Sequence, residues 1–467
     1  MRTTRSVRTI RLSSPRSKVL ASACGVLAAV ACAILFIAAT PQSKYVAHEW
    51  GTFTSVQGGD GKLLNWRPLE SSLLPRFVYN WSRDGFGRIP ISAMTFSKGS
   101  MLTLQRMETP VIYFYPQKEQ VVNVSVKFPQ GLITEWFPQA EQIGPSILPA
   151  PKVIATLDTA AHKVGARPGF SFASWLQNSV TKESRAGWSR VKLLPASAHP
   201  ELAGALRVDK SGSHYFSARD TDAAFVQVDS MLATNPAPEV DKFIFYRGVG
   251  SFQTPLRVSV NGDGSLNVTN TGNEALRHLF ALTIHNHAGR FAYVDRLSAG
   301  ENRDIRVDSA TEQLAAEQLS KAIATRMAQS LEQEGLYRRE ALAMVKTWQD
   351  SWFEEDGTRI LYVLPRAWTD QTLPLKLDPA PRELTRVMVG RAEILMPGAV
   401  QQLRQFLSEA SGGQEGGRDA AMAQLRTFGR FAEPALQLAT QNAPTEISST
   451  GWKLFAAASK PGNQSAF

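Results

Sequence analysis

Apolar and polar residues alternate along much of the first two thirds of the chain, and this alternation predicts antiparallel β-structure. The clearest case runs from 122 to 128, where one face carries Val122, Val124, Val126 and Phe128 and the other Asn123, Ser125 and Lys127. Turn-forming residues at 57–61, 261–264 and 288–290 separate further apolar stretches and predict hairpins. Short strands at this spacing are typical of a β-sandwich.

The hydrophobic period lengthens after residue 311. An apolar residue recurs at every fourth position, at Leu319, Ile323, Met327 and Leu331, which predicts an amphipathic helix ending at Gly335. A short apolar run at 359–366 predicts a buried strand, and glycine-rich residues 412–417 divide two further helices. We therefore predict an α+β fold, in which antiparallel β-sandwich-like regions precede a mainly helical C-terminal part.

The N-terminus combines a basic segment, residues 1–18, with the uncharged run Val19–Ala39. The run has 21 residues, whereas a membrane-spanning helix needs roughly 20 and the apolar core of a signal peptide about 7–15. The fold prediction therefore includes one N-terminal transmembrane helix, which anchors the chain in the inner membrane with its bulk periplasmic or extracellular. Secretion after signal cleavage is the alternative, because small residues around Ala38 and Thr40 could serve a peptidase.

These patterns divide the chain into successive parts. They are a basic n-region at 1–18, the anchor or signal segment at 19–39, a β-rich domain at 44–150, a β-sandwich-like domain at 206–307, a helical part at 311–442 and a loose tail at 443–467. Residues 142–205 are rich in Pro, Ala, Ser and Gly and could join either β-region.

Composition narrows the chemistry of the exported part. Without the six basic residues of the leader, the chain carries 45 Lys and Arg against 41 Asp and Glu, so its charge gives no reason to expect nucleic acid as a partner. The two cysteines, Cys24 and Cys32, both lie in the apolar run. The exported part therefore has no disulfide, thiolate nucleophile or cysteine-bound metal.

Several long motifs together resemble a family of large exported bacterial proteins of unassigned function. They are HEWGTFTSV at 48–56, METPVIYFY at 107–115, FYRGVG at 245–250 and MVKTWQDSWFEEDGTRILYVLPR at 344–366. The resemblance extends from His48 to about Met396. It implies an exported protein with one continuous architecture, and it brings no activity, substrate or catalytic residue.

Histidines supply the candidate metal site. On a strand His285 and His287 point the same way, so they could share a divalent ion. His48 is a candidate third ligand. Glu49 follows it, but on a strand the two side chains face opposite ways, so one ion could not easily take both. The alternative is that these residues are surface histidines and a buried polar network.

The acidic run Glu354, Glu355 and Asp356 follows a predicted helix that carries Trp348 and Trp352. Acidic groups at the partially negative end of a helix are mildly unfavourable, and residues that break a local rule sometimes mark function. With Glu49, these three are the candidate catalytic carboxylates. The alternative is a solvated or salt-bridged cluster neutralised by Arg359 and Arg366.

No nucleophile elbow, phosphate-binding loop or dinucleotide fingerprint is present in the sequence. The first hypothesis is therefore an envelope protein of binding or scaffold type, whose partner is another envelope protein or a glycan. The second is a metal-dependent hydrolase that uses the His-x-His pair. The third is a glycan-binding module that uses exposed tryptophans. The sequence does not decide whether the protein is an enzyme, and it gives no oligomeric state.

Overall fold

A computed structural model describes residues 45–69, 74–80, 102–144, 184–208, 213–229, 237–286, 288–307, 314–414 and 416–458. The described residues all belong to one compact unit. The predicted transmembrane segment Val19–Ala39 lies outside them, as do His287 and residues 145–183. Among the described helices, none has the length and apolar character needed to cross a bilayer.

The strands are short to medium in length, and two of them exceed twelve residues. They are β1 Tyr45–Gly58, β2 Tyr79–Asn80, β3 Gln105–Pro116, β4 Gln120–Lys127, β5 Gly131–Phe137, β6 Gln142–Gly144, β7 Arg185–Leu194, β8 Phe225–Val228, β9 Glu239–Asp241, β10 Ile244–Gly250, β11 Leu256–Val260, β12 Leu266–Asn270, β13 Leu276–His285, β14 Ala288–Leu297, β15 Asn302–Ile305, β16 Leu314–Ala315, β17 Gly357–Val363, β18 Leu375–Asp378 and β19 Glu383–Leu395.

The α-helices fall in the C-terminal third of the described chain. They are α1 Ala316–Gln333, α2 Arg338–Gln349, α3 Arg366–Thr372, α4 Pro397–Ser411, α5 Gly417–Thr427, α6 Ala432–Thr440 and α7 Thr445–Ala458. A π-helical turn, Asp350–Glu354, continues α2. Short 3₁₀ segments lie at Pro200–Ala205, His214–Arg219 and Gly429–Phe431.

Within the described residues, ten strands form one sheet in the order β16-β14-β13-β17-β19-β1-β3-β10-β5-β2. β1 lies near its centre and pairs parallel with β19, whereas its other neighbour, β3, is antiparallel. The sheet is therefore mixed. All 14 residues of β1 are buried, as expected for a strand covered on both faces.

The predicted fold class is wrong in this arrangement. The α-helices do lie in the C-terminal part, as predicted, but β17 and β19 from that part lie at the centre of the large mixed sheet, so the β-regions and the helical part are not successive. No transmembrane helix occurs in the described residues either. Local periodicity identifies a strand but not the strand it pairs with. The pairing of β1 with β19 could not be predicted in this way, because most of the chain lies between them in sequence.

A second sheet, β18-β4-β7-β8-β9 with β6 beside β7, contributes to the same hydrophobic core as the large sheet. This is the sandwich-like part of the prediction. The alternation at 122–128 is confirmed, since Val122, Val124 and Val126 are buried on β4, which pairs antiparallel with β7. The hairpins β11–β12 and β13–β14 are also confirmed.

Helices α4 to α7 enclose a separate apolar core around Leu403, Leu407, Leu425 and Leu436. Residues 445–458 form α7, although their polarity predicts a loose tail. The reason is that Gly451, Leu454 and Ala458 recur at helical spacing among Ser and Thr and are buried.

Candidate functional site

His48 is buried in the middle of the protein rather than exposed for a metal. Its Nδ1 lies 2.7 Å from Glu340 Oε2, at the start of α2. The other oxygen of Glu340 accepts a hydrogen bond of 2.8 Å from the Tyr115 hydroxyl, and the Tyr337 ring lies 4.4 Å from the imidazole, centroid to centroid. His48 therefore connects β1 to α2 in a closed polar contact.

Glu49 faces the opposite side of β1 and is fully buried. The Tyr246 hydroxyl donates to Glu49 Oε1 at 2.5 Å, and Arg386 Nε donates to Oε2 at 2.5 Å. Arg386 also donates to Asp370 and to the carbonyl of Leu373. The carboxylate is thus fully engaged in joining β1, β10 and β19, so nothing in this geometry gives it a catalytic role.

His285 lies far from His48, at the opposite end of the large sheet. In the register of the sheet, His48 on β1 is paired with Thr385 on β19. At the end of β13, Thr283 is paired with Thr358 on β17, which is in turn paired with Ile394 on β19. Nine residues of extended chain between Thr385 and Ile394 separate the two levels by about 30 Å. The two histidines therefore do not share an ion. Within the described part of the chain, no three His, Cys, Asp or Glu side chains are grouped to hold a metal.

We expect His48→Ala to lower the free energy of unfolding by about 1–3 kcal/mol, because it removes one partner of the buried Glu340 carboxylate. His285→Ala is the matched control: His285 is 73% exposed, and such a change costs less than about 0.5 kcal/mol. Urea unfolding measures both, and elemental analysis of the same proteins measures bound metal. Stoichiometric metal that is lost in His285→Ala would contradict this assignment.

The acidic run divides into residues with different surroundings. Glu354 is exposed and accepts hydrogen bonds from Ser320 and Gln349. Asp356 lies 3.9 Å from His285 Nδ1. Glu355 instead faces Arg391, whose Nη2 donates to its Oε2 at 2.7 Å. The unfavourable helix end is compensated by Arg359, which donates to the carbonyls of residues 351, 352, 355 and 356.

Glu355 and Asp356 line a cavity of about 440 Å³. We call it the arginine cavity, and the residues that line it include Arg106, Glu108, His214, Trp348, Glu355 and Arg430. They come from β3, the 3₁₀ segment 214–219, the end of α2, the turn before β17 and the 3₁₀ segment 429–431. Four parts of the chain that are distant in sequence thus converge on one space.

Arg430 reaches across the cavity between two carboxylates. Its Nη1 lies 3.5 Å from Glu108 Oε1 and its Nη2 lies 3.6 Å from Glu355 Oε2. These separations are longer than a normal charge-assisted hydrogen bond. Within the described structure, Arg430 Nε and Nη2 are buried without a hydrogen-bond partner. Arg430 therefore keeps donor capacity for another group.

Two aromatic side chains beside Arg430 also have unused polar atoms. Trp348 is 3% exposed, and its Nε1 lacks a hydrogen-bond partner among the described residues, as does the buried Nε2 of His214. The His214 ring lies 5.3 Å from the Trp348 ring and 4.0 Å from Tyr215. Buried polar atoms in native proteins nearly always have a partner, so orphaned ones beside a cavity indicate a site for a ligand.

The backbone around the cavity is locally irregular. Thr109 follows Glu108 with a φ of 46°, a strained conformation for a β-branched residue. The register of β3 shifts here against both β1 and β10. Gly51 on β1 permits the bulge, because a Cβ there would lie 2.9 Å from Pro110 Cα. Bulges and π-helical turns are both frequent beside functional sites, and this cavity has one of each.

The electrostatics of the cavity hold its groups in fixed protonation states. Burial raises the pKa of Glu355, but Arg430, Arg391 and Arg359 outweigh it and lower the pKa from 4.5 to about 2. The pKa of Glu108 is also lowered, since Arg106 and Arg430 outweigh the effect of burial. Burial lowers the pKa of His214 from 6.5 to about 4. At pH 7 both acids are therefore ionised and His214 is neutral.

These protonation states favour binding over acid–base catalysis. A general acid needs a pKa near the working pH, as when an apolar pocket raises that of a carboxyl group. The pKa values of Glu108 and Glu355, the two buried or half-buried carboxyl groups of the cavity, are both shifted the other way. The arrangement presents unused N–H donors, fixed charges and aromatic rings, which is the composition of a ligand site.

The glycan-binding hypothesis needs exposed tryptophans, but most of the described tryptophans are buried. Trp81 and Trp175 lie outside the described residues. The buried ones are Trp50, Trp66, Trp136, Trp188, Trp348 and Trp352. Of these, Trp348 is the one that lines the arginine cavity.

Of the residues that line the cavity, Glu355 and Asp356 are predicted from the sequence, whereas His214, Arg430 and Glu108 are not. Glu108 carried a signal: it is an acidic residue inside the apolar run METPVIYFY, and a buried carboxylate requires cationic partners. His214 and Arg430 lie in short, polar 3₁₀ segments with no periodicity to distinguish them.

No protein-family model matches the chain, and no curated protein matches it. Among solved structures, one that is similar is the Mu homology domain of Fcho1 from Danio rerio with a bound Eps15 peptide. The two chains are 8% identical, and the match covers 77% of this chain and 100% of that one with a TM-score of 0.29. A similarity at this level carries no argument about function.

Proposed function

We propose that this is a binding protein whose ligand occupies the arginine cavity. The observation that carries the proposal is the set of polar atoms at one cavity without a hydrogen-bond partner among the described residues: His214 Nε2 and, as N–H donors, Trp348 Nε1 and two nitrogens of Arg430. A ligand with acceptor atoms would satisfy them. The volume of about 440 Å³ suits a small molecule or the end of a chain.

Export remains part of the proposal. It rests on the basic segment 1–18 and the apolar run 19–39, which would place the cavity outside the cytoplasm. Protease added to intact spheroplasts should then digest the protein, while a cytoplasmic marker stays intact. Full protection in spheroplasts would contradict export.

The binding proposal is tested by screening a small-molecule library against the full-length chain for a rise in melting temperature. A ligand present at 100 times its Kd stabilises the folded state by about 2.7 kcal/mol. Trp348→Phe removes the Nε1 donor but keeps an aromatic ring, so we expect it to weaken binding about tenfold, the loss of one buried hydrogen bond.

Trp368→Phe is the matched control, because the Trp368 ring contacts Phe53 and Phe252 in the main core rather than the cavity. It should leave the affinity of every ligand unchanged. The proposal fails if no compound binds the wild-type chain, or if the compounds that bind do so equally well in Trp348→Phe.

A further inference from the structure

A series of ion pairs begins at the cavity wall and continues into the protein behind Glu355. It runs Arg106–Glu108–Arg430–Glu355–Arg391–Glu393–Arg359, with successive nitrogen–oxygen distances of 3.0, 3.5, 3.6, 2.7, 2.9 and 3.2 Å. Among the described residues, four guanidinium groups alternate with three carboxylates in this series, and Arg106, Glu108, Arg430 and Glu355 are the members that line the cavity. His214, neutral at pH 7, does not change that balance. Arg247, which also acts on Glu108, is neutralised by its two-point contact with Glu135.

The rim of the cavity has the opposite character. Asp350 and Asp356 line it and are exposed, with Arg426 as the exposed cation beside them. Two carboxylates at the entrance disfavour a ligand group with two negative charges more than one with a single charge. A monoanion therefore fits the cavity better than a phosphate.

The longest ion pairs of the series are those of Arg430, whose nitrogens lie 3.5 Å from Glu108 and 3.6 Å from Glu355. Within the described structure, two of its nitrogens, Nε and Nη2, also lack a hydrogen-bond partner. A planar carboxylate accepts two parallel N–H bonds from a guanidinium, so it matches this fork closely. Trp348 Nε1 supplies one more donor nearby.

Aromatic side chains of the cavity indicate the character of the rest of the ligand, beyond its carboxylate. Trp348, Tyr215 and Phe431 all line the cavity, and the Phe431 ring lies 5.1 Å from the Arg430 guanidinium carbon. Such walls favour an apolar or aromatic body in contact with them.

We propose that the ligand of the arginine cavity is a monocarboxylic acid with an aromatic or apolar body, whose carboxylate binds Arg430. This inference rests on the proposed function, because it names the ligand class of the same site. Phenylacetate, indole-3-acetate and benzoate are suitable probes, each compared with its uncharged amide of the same shape.

The test measures the Kd of each acid and amide for the full-length chain by isothermal titration calorimetry at pH 7. We expect each acid to bind at least about tenfold more tightly than its amide, since a charge-assisted pair is about twice as strong as a neutral one. Arg430→Gln should abolish that preference. Arg303→Gln is the matched control, because Arg303 is an exposed arginine on β15 that pairs with Glu301. Melting temperatures confirm that each variant is folded.

The outcomes separate the two proposals. A preference for acids that disappears in Arg430→Gln and persists in Arg303→Gln supports the inference. Equal binding of acids and amides, tighter binding of phenyl phosphate, or a preference that survives Arg430→Gln overturns it. In those cases, Trp348-dependent binding of any other compound leaves the proposed function standing. If no compound of any class binds, both proposals fail.

Discussion

Arg386→Met is expected to lower the free energy of unfolding by roughly 3–5 kcal/mol, the cost of removing one partner of a buried ion pair. Arg386 and Glu49 both have side chains at most 1% exposed. Without the guanidinium, the Glu49 carboxylate would keep the Tyr246 hydroxyl as its hydrogen-bond donor and would have no cation beside it. Urea unfolding followed by tryptophan fluorescence measures the loss.

A second substitution tests the cause. Glu49→Gln in the Arg386→Met background removes the unpaired charge and keeps an acceptor oxygen for Tyr246, so at least half of the lost stability should return. Arg366→Met is the matched control: Arg366 also pairs with Asp370, but at a site where both side chains are more than 40% exposed. It should cost less than about 1 kcal/mol. Equal losses in Arg366→Met and Arg386→Met, or no recovery in the double variant, would contradict the argument.

The segment at 48–51 illustrates why a strand can be predicted from sequence while the roles of its residues cannot. Three of its residues contact partners that are distant in sequence: His48 contacts Glu340, Glu49 contacts Arg386, and Gly51 leaves room for Pro110. None of these contacts is local. A single sequence therefore identifies the segment as a strand but gives no reason for its polar residues.

Elements whose stability comes from their own periodicity were predictable. Leu319, Ile323, Met327 and Leu331 are all fully buried on α1, and Gly335, with a φ of 101°, follows the end of the helix as its spacing indicates. The apolar run before Pro365 is the buried strand β17. In each case the information lies within about 20 neighbouring residues.

The cavity shows the opposite situation. Its acidic side was predictable from Glu355, because carboxylates at a helix end are unfavourable and stand out. Its basic side was not, because Arg430 becomes significant only when residues 429–431 lie against β3 and the turn after α2. Charge balance across a cavity depends on tertiary structure, which no local pattern contains.

Acidification should destabilise the protein between pH 6.5 and 4, and His214 should be a principal cause. Burial lowers the pKa of His214 from 6.5 to about 4, with Glu108 opposing and Arg106 and Arg430 adding to the shift. In this range the unfolded chain binds a proton that the folded chain does not. The stability contributed by neutral His214 is therefore complete above pH 6.5 and is lost as the pH falls through 4, by up to roughly 3 kcal/mol.

His214→Gln keeps a polar side chain at the same position but does not titrate, so it should flatten the dependence of unfolding free energy on pH between 6.5 and 4. His285→Gln is the control, because the His285 side chain is 73% exposed and does not line the arginine cavity. Below about pH 4.5 the wild type and both variants should lose further stability together, since Glu355, with a pKa of about 2, becomes protonated more readily in the unfolded chain. A pH profile that is the same for the wild type and His214→Gln would show that His214 is not neutralised by its surroundings. The orphaned Nε2 would then belong to a protonated imidazolium, which adds one positive charge to the lining of the cavity.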